Sequence, residues 1–173
     1  MVIETFILDE KNFGDAQKAY DSYPLALKEL ENNLNGYQQA LHSINSDNLS
    51  KVTKKDMKKI DALAEKTEIS QKQCAALKTA LFQNFEYMAT ETQNIQQDLL
   101  SQTDMIPQDF DFNYGKSLFN EAYILKSENK VCAALDKMYA AHEYFNSAYS
   151  DIRSQWMVQH QNKIQSIMNE ISF

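Results

Sequence analysis

Residues 53–101 contain neither glycine nor proline. Those two residue types make most turns and helix breaks, so a run of this length without them favours one long helix. The apolar pattern agrees. Met57, Ile60, Ala64 and Thr67, then Cys74, Leu77, Leu81, Phe85, Met88, Thr92, Ile95 and Leu99, recur mostly at intervals of three and four, the spacing of one helix face. Thr53 with Asp56 three residues on has the form of an N-terminal cap. At 1.5 Å per residue this helix would be roughly 70 Å long. A compact chain of this size has a radius of gyration of only about 15 Å, so either the helix bends, most easily at 67–73, or the molecule is a rod.

The rest of the chain repeats the theme. Three glycines and two prolines among 173 residues are too few for a many-stranded sandwich or barrel, whose turns recur about every 8–12 residues. So few glycines exclude a glycine-rich phosphate loop, and two cysteines exclude a disulfide scaffold. Phe13, Ala16, Tyr20, Tyr23, Leu27, Leu30, Leu34, Tyr37, Leu41 and Ile44 keep a strict three–four alternation, a coiled-coil-like seam. Pro24 interrupts it and predicts a kink or break, with the long helix over 24–45. Gly36, beside Tyr37, is a place where another helix could approach closely. Residues 114–127 and 131–170 read as two further helices, the last with a seam through Leu135, Met138, His142, Phe145, Tyr149, Ile152 and Trp156. Beyond Trp156 the phase blurs, and Ile164, Ile167, Met168 and Ile171 resume it.

Residues 102–113 hold Pro107, three aspartates, Phe110 and Phe112 and read as the one linker. Their phenylalanines are candidates for insertion into another surface, or for folding back over the bundle. Residues 1–12 read as an extended arm, either packed, disordered or docked on a partner. The expected organisation is therefore an arm (1–12), a long helical hairpin (13–101), a linker (102–113) and a C-terminal hairpin (114–173) packed on the first. The fold class is an all-α, elongated antiparallel bundle with coiled-coil-like packing, built from three long helices and one short.

Within 115–148, Ala122, Leu125, Ala134, Met138 and Ala141 fall where a tetratricopeptide repeat has its small and large packing residues. The segment resembles that family over about a fifth of the chain. It departs from the pattern at Ala122, where glycine is usual, and has no closing proline and no second copy. The resemblance implies a helix-turn-helix that packs on its neighbours and contacts a protein partner.

Charge narrows function. The net charge of −7 argues against general nucleic-acid binding, which needs a basic face to release phosphate counterions. The balance is uneven: residues 1–49 carry three lysines against eight acids, and 50–101 carry eight lysines against seven. Lys51, Lys54, Lys55, Lys58 and Lys59 form a stripe that could receive an acidic partner or an anionic membrane, or simply keep a helical tip solvated. Cys74 and Cys132 are isolated and read as reduced core cysteines. His42, His142 and His160 lie in distant segments without metal-ligand spacing, and Arg153 is the sole arginine. No cofactor or metal is expected. Tyr139 and Tyr144 lie off the last seam and, with Trp156, are candidate contact residues, since interfaces favour large aromatics with few rotors.

No apolar run is long enough to cross a membrane, and no secretory leader is recognisable, so the expected compartment is the cytoplasm, with leaderless export open. The expected function is a non-enzymatic interaction module, whether scaffold, adaptor or secretion-type helical partner, that binds a protein or itself through helix faces. The alternatives are membrane-surface binding through the lysine stripe and a helical metal-dependent enzyme.

Overall fold

The computed structural model describes residues 10–44 and 46–172. Helix α1 spans Glu10–His42, α2 Lys54–Ser101, α3 Phe112–Ser127 and α4 Val131–Ile171. Short 3-10 turns occupy Ser46–Lys51 and Thr103–Met105, and no strand occurs among the described residues. The protein is all-α, three long helices and one short, with helices packed against one another. Residues 1–9 of the expected arm lie outside the described residues; residues 10–12 already belong to α1.

Two sequence expectations about helix breaks meet different ends. Thr53 and Asp56 cap α2 reciprocally: the Asp56 carboxylate accepts from the Thr53 N–H at 2.9 Å, and the Thr53 hydroxyl accepts from the Asp56 N–H at 3.1 Å. These bonds hold the Asp56 carboxyl below its ordinary pKa, with Lys55 and Lys59 adding a smaller pull in the same direction. Pro24, by contrast, does not break α1, which runs through it. It sits on the exposed side of the helix, where water can serve the backbone groups that proline disturbs. Helix α2 is likewise continuous through 67–73.

The packing divides the chain into two units, Met1–Gln83 and Asn84–Phe173. The division falls inside α2, not at the expected linker, and the reason lies in residues 105–112. Met105, Ile106, Phe110 and Phe112 pack against the buried cluster of Leu99, Phe145, Ala148 and Ile152. This segment is part of the C-terminal core and ties α2 to α4.

In the N-terminal unit, α1 and the first part of α2 run antiparallel. The Asn33 side-chain amide donates to the Ser70 hydroxyl at 2.6 Å, and Glu29 lies close enough to Cys74 to act on its thiol. The packed face of α1 is only part of the predicted seam. Ala16, Tyr20, Tyr23, Leu30, Tyr37 and Ile44 are covered as expected, and Ala19, Ala26, Asn33 and Ala40 are covered with them. Leu27, Leu34 and Leu41, also of the expected seam, stand exposed. Gly36 is also not a contact point, because a Cβ there would meet nothing within 4 Å.

The C-terminal unit is a three-helix assembly of α2 from Asn84 onward, α3 and α4. Asp111 caps α3, its carboxylate accepting from the N–H groups of Asn113 and Tyr114. The α3–α4 turn places Asn129 at φ 63, a left-handed conformation that asparagine tolerates better than most residues. The Lys130 N–H then reaches back to the Leu125 carbonyl at 3.0 Å. α3 and α4 consequently lie antiparallel and very close. A Cβ on Gly115 would fall 2.4 Å from the Phe145 ring, so only glycine admits that ring. Val131, Ala134, Leu135, Met138, Ala141, Phe145, Ala148 and Ile152 are all buried along α4.

Candidate interaction surfaces

The residues picked out from the sequence fall into three groups. Phe110, Phe112, Tyr139 and Tyr144 form the first, and their side chains serve the fold. Phe110 stacks on Tyr144 at 4.8 Å and meets Phe112 edge-on at 5.2 Å; both phenylalanines contact the buried Phe145. The Tyr144 hydroxyl accepts from the Asp111 N–H at 2.9 Å, holding the segment before α3 down on α4. Its ring also meets Tyr114 at 4.9 Å. The Tyr139 hydroxyl accepts from the Asn84 side-chain amide at 2.9 Å, joining α4 to α2. These four residues are half-buried, so of the two fates open to the linker phenylalanines, folding back is the one observed.

The second group is the lysine stripe. Lys51, Lys54, Lys55, Lys58 and Lys59 are all exposed, and none joins an ion pair with a described residue. Leu49 and Met57 are exposed within the same stretch. This end of α2 therefore combines an excess of positive charge, offset only in part by Asp56, with a little apolar surface.

Trp156 belongs to the third group, which the sequence only half revealed. Its ring is 51% exposed and rests against His160 at 4.4 Å. Every residue from 153 to 172 is exposed, although α4 continues unbroken to Ile171. Met157, Val158, Ile164, Ile167, Met168 and Ile171 are each at least half exposed. Charge is sparse here: Lys163 and Glu170 are the only charged residues in 154–172. Runs of exposed large apolar residues on one helix are uncommon in monomeric soluble proteins and mark interaction sites. The exposed leucines of α1, Leu27, Leu34 and Leu41 at seven-residue intervals, form a second and thinner ridge.

Other polar groups form ion pairs or lie buried within the units. Lys126 pairs with Glu86 and lies over the rings of Phe85 and Tyr123, while Lys137 pairs with Glu121 at 2.9 Å, which raises the lysine's pKa. Burial pushes the Cys74 and Cys132 thiols up, with Glu29 and Asp136 adding to it respectively. Neither has the low-pKa environment of a reactive thiolate. His142 lies on the packed side of α4 with its Nδ1 buried and without a hydrogen-bond partner. Burial lowers its pKa against a smaller opposing pull from Glu143. No group of three or more His, Cys, Asp or Glu side chains gathers among the described residues in a metal-holding arrangement. No helix among them is long and apolar enough to cross a membrane.

The chain matches no protein-family model, no curated protein and no solved structure.

The α4 surface was the one most easily missed. Sequence spacing showed that the seam falters after Trp156 and that isoleucines return, but not that the packed core stops at Ile152. The signal was present in the polar residues. Repeating the two buried rows through Val131 and through Ala134 at seven-residue intervals beyond Ile152 lands on Gln155, Gln159, Asn162, Ser166 and Asn169, none of which a core would take, and the row through Leu135 reaches Trp156 and then only Lys163 and Glu170.

Proposed function

We propose that this protein is a non-enzymatic protein-interaction module that binds through exposed helix faces. The observation that carries the reading is the second half of α4. It holds a sustained helix with an apolar stripe and two charges, and no described residue covers it. An isolated helix of some twenty residues is marginal in water without packing on one face. Such a segment gains most from burial against another helix, at roughly 25 cal/mol per Å² of apolar surface removed from water. The α1 leucine ridge offers a second contact, and the lysines of 51–59 supply orientation and on-rate toward an acidic partner.

A binding assay with stability-matched variants tests this. Ile164→Asp with Ile167→Asp, and separately Leu34→Asp, should leave the melting temperature of the protein unchanged because these side chains are already exposed. The α4 pair should abolish recovery of the partner in pull-downs from an extract of the source organism. Recovery equal to wild type with both variant proteins contradicts the reading.

The exposed Leu49 and Met57 among unpaired lysines support a second reading, binding to an anionic membrane surface through the end of α2. Co-sedimentation with phosphatidylserine vesicles, lost when Lys54, Lys55, Lys58 and Lys59 become Glu, would support it. Failure to co-sediment at low salt would end it.

A further inference from the structure

The stripe on α4 is built for a partner that is itself helical, and its phase shows that the partner is not a continuation of the bundle. The core positions of α4 run Val131, Met138, Phe145 and Ile152 at seven-residue intervals, with Ala134, Ala141 and Ala148 beside them. Beyond Ile152 the apolar positions become Met157, Ile164 and Ile171, again seven apart, with His160 and Ile167 between them. This second seam is two positions out of phase with the first, so it lies on a different side of the same helix. Its spacing of three, four, three and four is that of a two-helix coiled coil. One helix therefore carries two seams, the first filled by its own unit and the second covered by no described residue.

Charge complementarity says what fills it. In this frame Lys163 and Glu170 occupy equivalent flanking positions one heptad apart, and they are the only charges in the segment. Two copies of α4 laid antiparallel, with Ile164 of one in the layer of Ile167 of the other and His160 in the layer of Ile171, place Lys163 of each copy beside Glu170 of the other. The pairing is reciprocal, as a two-fold interface requires. A parallel pair would instead bring the two His160 rings together and leave both charges without opposites. The overlap covers three isoleucines per copy that are at least half exposed before they pair, a contact at the small end of specific interfaces. Such a contact forms reversibly and depends on concentration.

We infer that this protein self-associates as an antiparallel dimer through residues 160–171 of α4, the seam of Ile164, Ile167 and Ile171 being closed by two Lys163–Glu170 pairs. The inference rests on the interaction reading above and names its partner as a second copy of the chain.

Sedimentation of the full chain across the micromolar range tests it. The wild type should show a reversible monomer–dimer equilibrium, and Ile164→Asp with Ile167→Asp should leave only monomer with unchanged helicity. Lys163→Glu and Glu170→Lys should each weaken the dimer about tenfold, because each replaces two attractive pairs with two repulsive ones. An equimolar mixture of the two single variants should recover wild-type association as a heterodimer, and the doubly exchanged chain should recover it alone. A dimer indifferent to the isoleucine changes, or single variants that associate as well as their mixture, would overturn the inference. So would a wild type that stays monomeric, and Trp156 then separates two failures. If its fluorescence is freely quenched by acrylamide, the dimer is wrong and the interaction reading stands. If it is shielded in the monomer, the chain covers its own stripe and both are wrong.

Discussion

The two units of this protein are both antiparallel helical assemblies, yet they are closed by opposite means. The C-terminal unit fills its interior with large side chains: Phe85, Phe145, Leu99, Leu135 and Met138 are fully buried. Aromatic contacts from residues 110–123 lock its edges. The N-terminal unit turns a mixed face of α1 inward, in which Ala19, Ala26, Asn33 and Ala40 alternate with the half-buried Tyr23, Leu30 and Tyr37, and it leaves Leu27, Leu34 and Leu41 outside. It also carries a part-buried polar pair between its helices, Asn33 with Ser70. Apolar residues alone do not make a core; which helix face meets a neighbour decides whether leucine stabilises the fold or remains available for binding.

The largest expected effect lies in the aromatic core. Phe145→Ala should destabilise the protein by about 3–5 kcal/mol, read from denaturant unfolding. Leu30→Ala in α1 should cost distinctly less, because Leu30 is only half-buried. Equal losses would mean that the two units are equally dependent on large side chains.

The glycines give a change of sign. Gly115→Ala forces a methyl group into the Phe145 ring, which is fully enclosed and has nowhere to move. Overpacking of this kind costs about 1–3 kcal/mol, enough to outweigh the roughly 1 kcal/mol that alanine gains over glycine in a helix. Gly36→Ala meets open space and should stabilise by that same gain. Paired thermal melts of the two variants check both signs.

A smaller effect is expected at the polar contact. Ser70→Ala removes the acceptor for the Asn33 amide in a partly covered site and should cost about 1 kcal/mol. Ser70→Thr, which keeps the hydroxyl, should recover part of it.

Smallest is a pH effect at His142. Its pKa is lowered in the folded protein, so between that value and the unfolded 6.5 the unfolded chain binds more protons. Stability from this group is complete above pH 6.5 and is lost as the pH falls toward the folded pKa. The melting temperature of wild type should drop on acidification through this window, and His142→Leu should flatten the dependence.

Much of the fold was legible because long helices write regular patterns. The seam through Cys74, Leu81, Phe85, Met88, Thr92 and Leu99 is buried as its spacing required, and the Thr53–Asp56 cap and the turn at 128–130 stand where the sequence put them. The first helix shows the limit. Leu27, Leu34 and Leu41 obey the heptad rule as well as Leu30 does, and periodicity does not say which of two adjacent apolar rows faces the neighbour. The 102–113 segment was legible in part. Proline and aspartate mark an irregular backbone, as observed, and folding back was one of two fates open to its phenylalanines; the choice between them depends on Tyr144 and Phe145, more than thirty residues away, which local reading does not reach. On the surface, the lysines were read as exposed and are, whereas the aromatic candidates divided: Trp156 is exposed, and Tyr139 and Tyr144 are held in hydrogen bonds.

Helix α4 is continuous to Ile171, yet it is packed into its own unit only as far as Ile152 and is exposed beyond it. Residue-resolved hydrogen exchange of the full chain at the lowest workable concentration tests this most directly. The account predicts slow exchange across 134–152, fast exchange across 156–171, and protection of 160–171 that rises with concentration. Uniform slow exchange along the whole of α4 in the dilute monomer would contradict it.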